Sequence, residues 1–167
     1  MKNQYVGDVN DFFKYSILEI IEKVLDKKIF VVWMLTKSEG MDIEYSEYKN
    51  RNISLYSKLQ KIITSDKRNI KSIETIYDNY LYHSELLEKR TRKAYFDKVL
   101  EKSKTSDFIF FDPDNGISYD NSQSIKHLNW DEIQRFWNTG KDLLIYQHFR
   151  YLFSHVAHKI WELTVKE

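Results

Sequence analysis

With 167 residues, 26 Lys or Arg and 25 Asp or Glu, the chain has the length of one domain and a formal net charge of only +1, so its overall charge does not indicate a nucleic-acid binder. Charged residues make up 31% and aromatic residues 16%, which predicts a single folded domain over residues 1–167. The absence of cysteine excludes disulfides and thiolate metal sites and favours a cytoplasmic location. No apolar run reaches membrane-spanning length and no signal-peptide pattern opens the chain, so we expect no membrane partner.

The first predicted helix follows an irregular opening segment at residues 3–11. Apolar residues recur at helical spacing over residues 13–25, and Asp8 or Asn10 suits the position that caps such a helix. Lys14 lies in the first turns, where the positive end of the helix disfavours a cation. We therefore predict that Lys14 serves a ligand.

A first buried strand and a second helix are expected next. Residues 29–35 form a continuous apolar run, typical of a strand buried on both faces. Residues 36–42 form a polar loop at the carboxyl end of that strand, and residues 43–52 are also predicted as loop. Helical spacing of apolar residues returns over 53–64 and predicts the second helix.

Two short strands and a basic helix are predicted in the middle of the chain. Residues 70–75 and 79–84 have the composition of strands, and residues 86–104 have the pattern of an amphipathic helix. We interpret the cations on the outer side of that helix as a solvated face. These cations are Lys89, Arg90, Arg92 and Lys93.

The stretch 107–116 combines a second buried strand with a polar turn. Residues 108–111 are an unbroken apolar run. The run is followed by two carboxylates, an amide, a proline and a glycine, in the order Asp112, Pro113, Asp114, Asn115 and Gly116. Open α/β sheets bind ligands at the carboxyl ends of their strands, so this turn is the first candidate site.

The remaining pattern predicts a loop, a helix, a strand and a final helix. Residues 118–129 are polar and are predicted as loop, and residues 130–137 as a short helix with acids in its first turn. Residues 143–146 form the third buried run and lead into the polar residues 147–150. A last helix is expected from about residue 151.

Alternating strands and helices predict a Rossmann-like, three-layer α/β sandwich with a mostly parallel sheet. The three buried strands would then deliver three polar segments to one edge: residues 36–42, 112–115 and 147–150. This convergence is the main functional inference from the residues themselves.

The first chemistry that this edge suits is group transfer to a nucleobase amine. The side chain of Asp112 and the carbonyl of Pro113 are acceptors for the hydrogens of such an amine. An aromatic residue that would stack on the base is missing from the turn, and Asn115 stands in its place.

Two other functions remain open at this point. Asp112, Asp114 and His148, completed by Glu39 or Asp42, have the ligand types that bind magnesium or manganese in a phosphoesterase or nuclease. A nucleotide-binding protein without chemistry of its own is the third option. Neither a dinucleotide-binding glycine motif nor a P-loop is present.

Several blocks of the sequence resemble those of a group of small bacterial and phage proteins. The blocks are Gln4-Tyr-Val-Gly-Asp-Val-Asn-Asp-Phe-Phe-Lys-Tyr15, Trp33-Met-Leu-Thr36, Phe110-Phe-Asp-Pro-Asp-Asn-Gly-Ile117, Trp130-Asp-Glu-Ile133 and Leu144-Ile-Tyr-Gln-His-Phe149. Their order is also distantly similar to that of bacterial 23S ribosomal RNA adenine methyltransferases, which have the class I S-adenosylmethionine-dependent fold.

This second resemblance implies a site made of the opening segment, the loop after the first strand and the Asp112 turn. In those enzymes a Gly-Asn-X-X-Asp-X-X-Lys-His segment closes over the methyl donor, and this chain has Tyr15 where they have histidine. Their catalytic Asp-Pro-Pro-Tyr falls on residues 112–115. The chain also ends before the last two strands that are usual in the family.

The first hypothesis is therefore a methyltransferase-like enzyme that uses S-adenosylmethionine on an amine of a nucleobase, nucleotide or nucleic acid. A homo-oligomer is compatible with the sequence. The predicted catalytic residues are Asp112, Pro113, Asp114, Asn115 and His148. The predicted donor-binding residues are Gly7, Asp8, Asn10, Asp11, Lys14, Tyr15, Thr36 and Gln147.

Overall fold

A parallel sheet of four strands lies between two layers of helices in the computed structural model, which describes residues 2–37, 52–65, 68–120 and 124–147. The strands are β1 (Ile29–Val32), β2 (Leu81–His83), β3 (Phe108–Phe111), β4 (Ile117–Ser118), β5 (Leu128–Asn129) and β6 (Asp142–Ile145). The helices are α1 (Val9–Leu25), α2 (Ile53–Ile63), α3 (Ile70–Ile76), α4 (Arg92–Lys102) and α5 (Trp130–Trp137). Short 3-10 turns occupy Asn3–Tyr5, Lys89–Thr91 and Ser103–Thr105.

The main sheet has the order β2-β1-β3-β6, and every pair of neighbours is parallel. Phe30 lies opposite Leu81 on one side and Ile109 on the other, and Phe110 lies opposite Leu144. A separate two-stranded parallel sheet joins β4 to β5. The predicted mixed α/β architecture with a parallel sheet is confirmed, and it is compatible with a Rossmann-like fold.

Two hydrophobic cores cover the two faces of the sheet. Alternate residues of β1 point to opposite faces, so Val31 packs in the core with α1, α2 and α3, whereas Phe30 and Val32 pack in the core with α4 and α5. All four residues of β1 and of β3 are buried. Burial on both faces explains why these strands read as unbroken apolar runs.

The strand predicted over residues 70–75 is wrong, because this segment forms α3. Ile70 and Ile73 are three residues apart and both are buried, which is helical spacing. The side chain of Asn69 accepts a hydrogen bond from the backbone N–H of Lys71 at 2.9 Å and caps the helix. The β-branched residues of the segment suggested a strand, but the period and the cap favour a helix.

Other boundaries differ in smaller ways. The helix predicted over 86–104 starts only at Arg92, since the Leu87 N–H bonds to the Leu35 carbonyl at 2.9 Å and extends the sheet edge instead. The loop predicted over 118–129 is bounded by β4 and β5. The predicted loop at 43–52 lies almost wholly outside the described residues, and so does the predicted helix from about residue 151.

The strands predicted near residues 79–84 and 143–146 are confirmed as β2 and β6. Within the described ranges, none of the helices combines the length and the hydropathy that crossing a membrane requires.

Arg92 links α4 to α5 on one face of the sheet. Its Nε and Nη2 donate to the two carboxylate oxygens of Glu132 at 2.6 and 2.7 Å. Nη1 and Nη2 also donate to the carbonyl oxygens of Ser124 and His127. The Glu132 carboxylate in turn accepts from the Asn129 N–H at 2.9 Å and caps α5. The segment that leads from β5 into α5 is thereby fixed against α4.

Candidate functional site

The candidate site lies where the connections of two neighbouring strands diverge. The helices that follow β1 in the chain, α2 and α3, lie on one face of the sheet, and α5, which follows β3, lies on the other. Such a switch point opens a crevice at the carboxyl ends of the strands, where α/β proteins bind ligands. Asp112 enters this crevice directly after β3, and its N–H donates to the Val32 carbonyl at 3.0 Å.

The first turn of α1 lies at the same edge and is organised by two buried aspartates. Asp8 caps the helix, as predicted, by accepting from the N–H groups of Asn10 and Asp11 at 2.9 and 3.1 Å. Asp11 accepts from the Gly7 N–H at 2.8 Å. Gly7 has a φ of +86°, and a Cβ there would lie 3.2 Å from the Leu59 carbonyl oxygen. A glycine therefore lets the opening segment turn tightly against α2.

Lys14 joins α1 to the turn after β3. Its Nζ donates to Asp112 Oδ2 at 2.9 Å and to Asp11 Oδ1 at 3.3 Å, and it lies 4.2 Å from the centre of the Tyr146 ring. The side chain of Lys14 is 5% exposed and that of Asp112 is 1% exposed. Burial alone would lower the pKa of Lys14, but the two carboxylates outweigh it and raise this pKa, so the amine stays charged.

The second carboxylate of the cluster, Asp11, has a raised pKa. Burial raises the pKa of Asp11 to about 7, and the nearby charges of Asp8 and Asp112 add to the rise, while Lys14 and the Gly7 N–H oppose it. Protonation of Asp11 below neutral pH therefore removes one negative charge from its cluster with Lys14 and Asp112.

A pocket of about 330 Å³ opens beside this cluster. It is lined by Lys2, Tyr5, Asp8, Asn10, Lys14, Asp112, Pro113, Asp114, Asn115, Lys126 and Tyr146. The Tyr146 hydroxyl donates to Asn10 Oδ1 at 2.9 Å, which holds the end of β6 against the start of α1. The pocket thus combines acceptor oxygens, one buried cation and two aromatic rings.

The turn after β3 is held in shape by its neighbours. Thr36 Oγ1 donates to Asp114 Oδ2 at 2.5 Å, which ties the segment after β1 to the turn. The Gln147 side-chain oxygen accepts from the Ile117 N–H at 2.8 Å. Gly116 has a φ of +84°, and a Cβ there would overlap the Gln147 amide. Glycine is therefore required by both the backbone conformation and the space available.

The predicted site residues that the structure describes divide into four groups, and His148 lies outside the described residues. Those that line the pocket are Asp8, Asn10, Lys14, Asp112, Pro113, Asp114 and Asn115. Gly7, Asp11 and Gln147 support the backbone around it, and Thr36 lines a second pocket. Tyr15 belongs to the core, where it has no exposed surface and stacks on Tyr77 with 4.8 Å between ring centres.

The predicted metal site depends in part on residues outside the described ranges, namely Glu39, Asp42 and His148. Among the residues that are described, no group of three or more His, Asp or Glu side chains is placed to hold an ion. The Asp112 carboxylate that was assigned to the metal is paired with Lys14.

Two aromatic residues of the pocket were missed by sequence reasoning. Tyr146 stands two residues after Leu144 in an extended segment, and both pack towards the face that carries α1. This alternation was the available signal for Tyr146. Tyr5 lies in a 3-10 turn, Asn3–Tyr5, that was predicted as irregular, so no periodicity pointed to it.

A second pocket, of about 490 Å³, lies next to the first one. It is lined by Lys2, Thr36, Lys37, Leu86, Leu87, Glu88, Lys89, Arg90, Ile125 and Lys126. Of the four cations interpreted as a solvated face, Lys89 and Arg90 therefore line a concave surface. Arg92 forms an ion pair with Glu132.

Comparison with known proteins gives no relative for this chain. A scan of family models, a search of curated proteins and a search of solved structures each found no match.

Proposed function

We propose that this protein binds a nucleobase, as part of a nucleotide or nucleic acid, in the pocket at the switch point. The observation that carries the proposal is the Asp112 carboxylate, which is paired with Lys14 at 2.9 Å in a pocket that two tyrosine rings also line. Asp112 and the Pro113 carbonyl accept the hydrogens of the exocyclic amine of the base.

The pairing with Lys14 leaves Asp112 suited to this task. An ionised carboxylate has about four acceptor directions, so the bond from Lys14 is compatible with a bond from a ligand amine. The buried ammonium group also offsets the cost of holding the carboxylate away from water. Lys14 is therefore a positioning residue that holds the acceptor in place.

The rings of Tyr5 and Tyr146 supply the aromatic surface that the turn itself lacks. Both line the same pocket as Asp112 and Asn115. Stacking of a base on an aromatic side chain contributes roughly 1–3 kcal/mol and tolerates any base, because every base has a π face. Polar acceptors for the base edge and a ring for its face are the two requirements of nucleobase recognition.

Methyl transfer from S-adenosylmethionine to the bound amine is the second candidate. It is favoured by the contact between Lys14 and Asp112, because the resemblance implies that the opening segment and the Asp112 turn share one site. Two of the residues assigned to the donor do not fit it. Tyr15 is fully buried in the core, and Gly7 packs against α2. The pocket beside Thr36 has five cationic side chains and one carboxylate in its lining, whereas the donor carries a cationic sulfonium.

The test is nucleoside binding measured by isothermal titration calorimetry, with adenosine, cytidine, guanosine and uridine as ligands. Asp112→Asn keeps the shape of the side chain and an acceptor for Lys14 but removes the charge. We expect it to weaken binding of the amine-bearing nucleosides by roughly tenfold, since charged hydrogen bonds are about twice as strong as neutral ones. Uridine has no exocyclic amine and should bind more weakly to the unaltered protein.

Asp131→Asn is the matched control, because Asp131 is exposed on α5 and lines neither pocket. Thermal unfolding of both variants shows that they are folded. Equal binding of all four nucleosides by the unaltered protein and the Asp112 variant contradicts the proposal. A methyl-transfer assay with labelled S-adenosylmethionine and nucleic acid separates the two candidates, since only the second predicts incorporation.

A further inference from the structure

The second pocket concentrates positive charge on a chain that is nearly neutral overall. Its lining includes Lys2, Lys37, Lys89, Arg90 and Lys126 with a single acid, Glu88. The formal net charge of the whole chain is +1, so the local surplus is several times the global one. A concave surface with one sign of charge focuses its field on a ligand of opposite sign.

Four of these cations form no ion pair with an acid among the described residues. Across the described part of the chain, the ion pairs involve none of Lys37, Lys89, Arg90 and Lys126. All four are exposed. Cations that are held on one concave surface without carboxylate partners repel one another, and an anionic ligand relieves this repulsion.

The 3-10 turn before α4 supplies two cations of the same pocket. Lys89 and Arg90 belong to the 3-10 turn that leads into this helix of eleven residues. Its cap residue, Thr91, makes no side-chain capping bond, and its first turn contains no acid. No acid in the first turn of α4 offsets the charge of Lys89 and Arg90.

The two pockets are parts of one cleft. Lys2 and Lys126 line both of them. Thr36, in the second pocket, donates to Asp114, in the first. A ligand whose base lies beside Asp112 can therefore extend its sugar and phosphate past Lys126 towards the start of α4.

We propose that the second pocket is a phosphate subsite for the ligand whose base the first pocket holds. This inference rests on the proposed function and adds that the ligand is phosphorylated. Lys37, Lys89 and Arg90 bind the phosphate oxygens, and the apolar floor formed by Leu86 and Leu87 lies beneath the sugar. The phosphate belongs to a mononucleotide or to the backbone of a single strand, and the chemistry of the subsite is the same for both.

The test compares ligands with and without phosphate on two variants. The first variant removes the subsite cations (Lys37→Ala, Lys89→Ala and Arg90→Ala). The matched control removes three exposed lysines that line neither pocket (Lys23→Ala, Lys61→Ala and Lys104→Ala). The ligands are adenosine, adenosine monophosphate and a labelled single-stranded RNA of mixed sequence, titrated over a range of salt concentrations.

We expect adenosine to bind the unaltered protein and both variants equally. The phosphorylated ligands should bind the unaltered protein and the control more tightly than adenosine, and this gain should fall by roughly tenfold or more in the subsite variant. For the RNA, the slope of log affinity against log salt should decrease by about 2 in the subsite variant, since each single-strand phosphate contact contributes about 0.7. A gain seen with the monophosphate alone identifies a mononucleotide site, and a gain that needs the RNA identifies a strand.

The inference and the proposed function fail in different ways. If adenosine binds and phosphate adds nothing, or if the subsite variant keeps the full gain, the second pocket is not a phosphate subsite while the base pocket stands. If RNA binds and the subsite variant loses it, but adenosine does not bind and Asp112→Asn has no effect, the phosphate subsite stands and the base pocket fails. If no ligand binds, both are overturned.

Discussion

Replacing Lys14 by Met tests the buried cluster on which the site is built. Methionine has a similar length and is apolar, so the change removes the charge while keeping much of the packing. It leaves Asp11 and Asp112, which are 0% and 1% exposed, without their shared cation. Breaking a buried pair in this way costs about 3–5 kcal/mol. For a domain of this size, we expect the melting temperature to fall by roughly 6–20 °C.

The loss should depend on pH in a direction that the structure sets. The pKa of Asp11 is raised to about 7 in the unaltered protein, so folding favours its protonated form, and this contribution is lost as pH rises from about 4 through about 7. Without Lys14, Asp11 loses the charge that opposes the rise in its pKa, and the loss of stability with rising pH becomes steeper. The destabilisation by Lys14→Met should therefore be larger at pH 8 than at pH 5.

The assay is urea unfolding followed by circular dichroism at pH 5 and pH 8, with Lys23→Met as the control. Lys23 is on the same helix, its side chain is 73% exposed and its nearest carboxylate oxygen, on Glu19, is 3.9 Å away. Such a surface pair contributes about 0–1 kcal/mol. If Lys14→Met destabilises no more than Lys23→Met, or if its effect is larger at pH 5 than at pH 8, the description of the cluster is wrong. Adding Asp112→Asn to Lys14→Met should restore part of the loss.

Three further changes test the surroundings of the site. Gly116→Ala should destabilise the protein by about 1–3 kcal/mol in urea unfolding, because its φ of +84° is strained for alanine and the Cβ overlaps a side chain, whereas Gly140→Ala has open space and should cost less. Arg92→Met should cost about 2–4 kcal/mol by the same measurement, because it leaves Glu132 unpaired at 9% exposure. Burial, with a smaller contribution from a nearby lysine, lowers the pKa of His83 to about 4. Its contribution to stability is therefore complete above about pH 6.5 and lost as pH falls towards 4, and His83→Phe should flatten the thermal-stability profile in that window.

The placement of Lys14 has a consequence for ligand binding. Asp112 orients the proposed ligand amine. Asp11 and Asp112 both accept a hydrogen bond from the Lys14 ammonium. A ligand amine that donates to Asp112 brings partial positive charge to the cluster. This charge favours the ionised form of Asp11. Nucleoside binding should therefore strengthen as pH rises through about 7, the pKa of Asp11.

The local chemistry of the chain was sufficient to predict the four strands of the main sheet, the capped first helix and the turn after β3. Residues 29–32 and 108–111 are apolar without interruption because both faces of the sheet are covered. Asp8 or Asn10 was predicted as the cap because a side-chain acceptor is needed at that position, and the structure places Asp8 there. The same local rules failed at residues 70–75, where β-branched residues and a helical period gave opposite indications.

Which polar residues meet depends on how the helices pack on the sheet. Lys14 and Asp112 are 98 positions apart, and their contact follows from the packing of α1 on the sheet. Tyr15 stands next to Lys14 in the sequence but points into the core, because neighbouring helical positions are about 100° apart around the axis. The sequence pattern indicated that Lys89 and Arg90 are solvated charges on a helix. In the structure, the bond of Leu87 to the sheet edge makes the helix begin later, and both cations line a pocket with Thr36 and Lys126. Sequence pattern reports the burial of each residue within its own element, whereas a binding site depends on distances between elements.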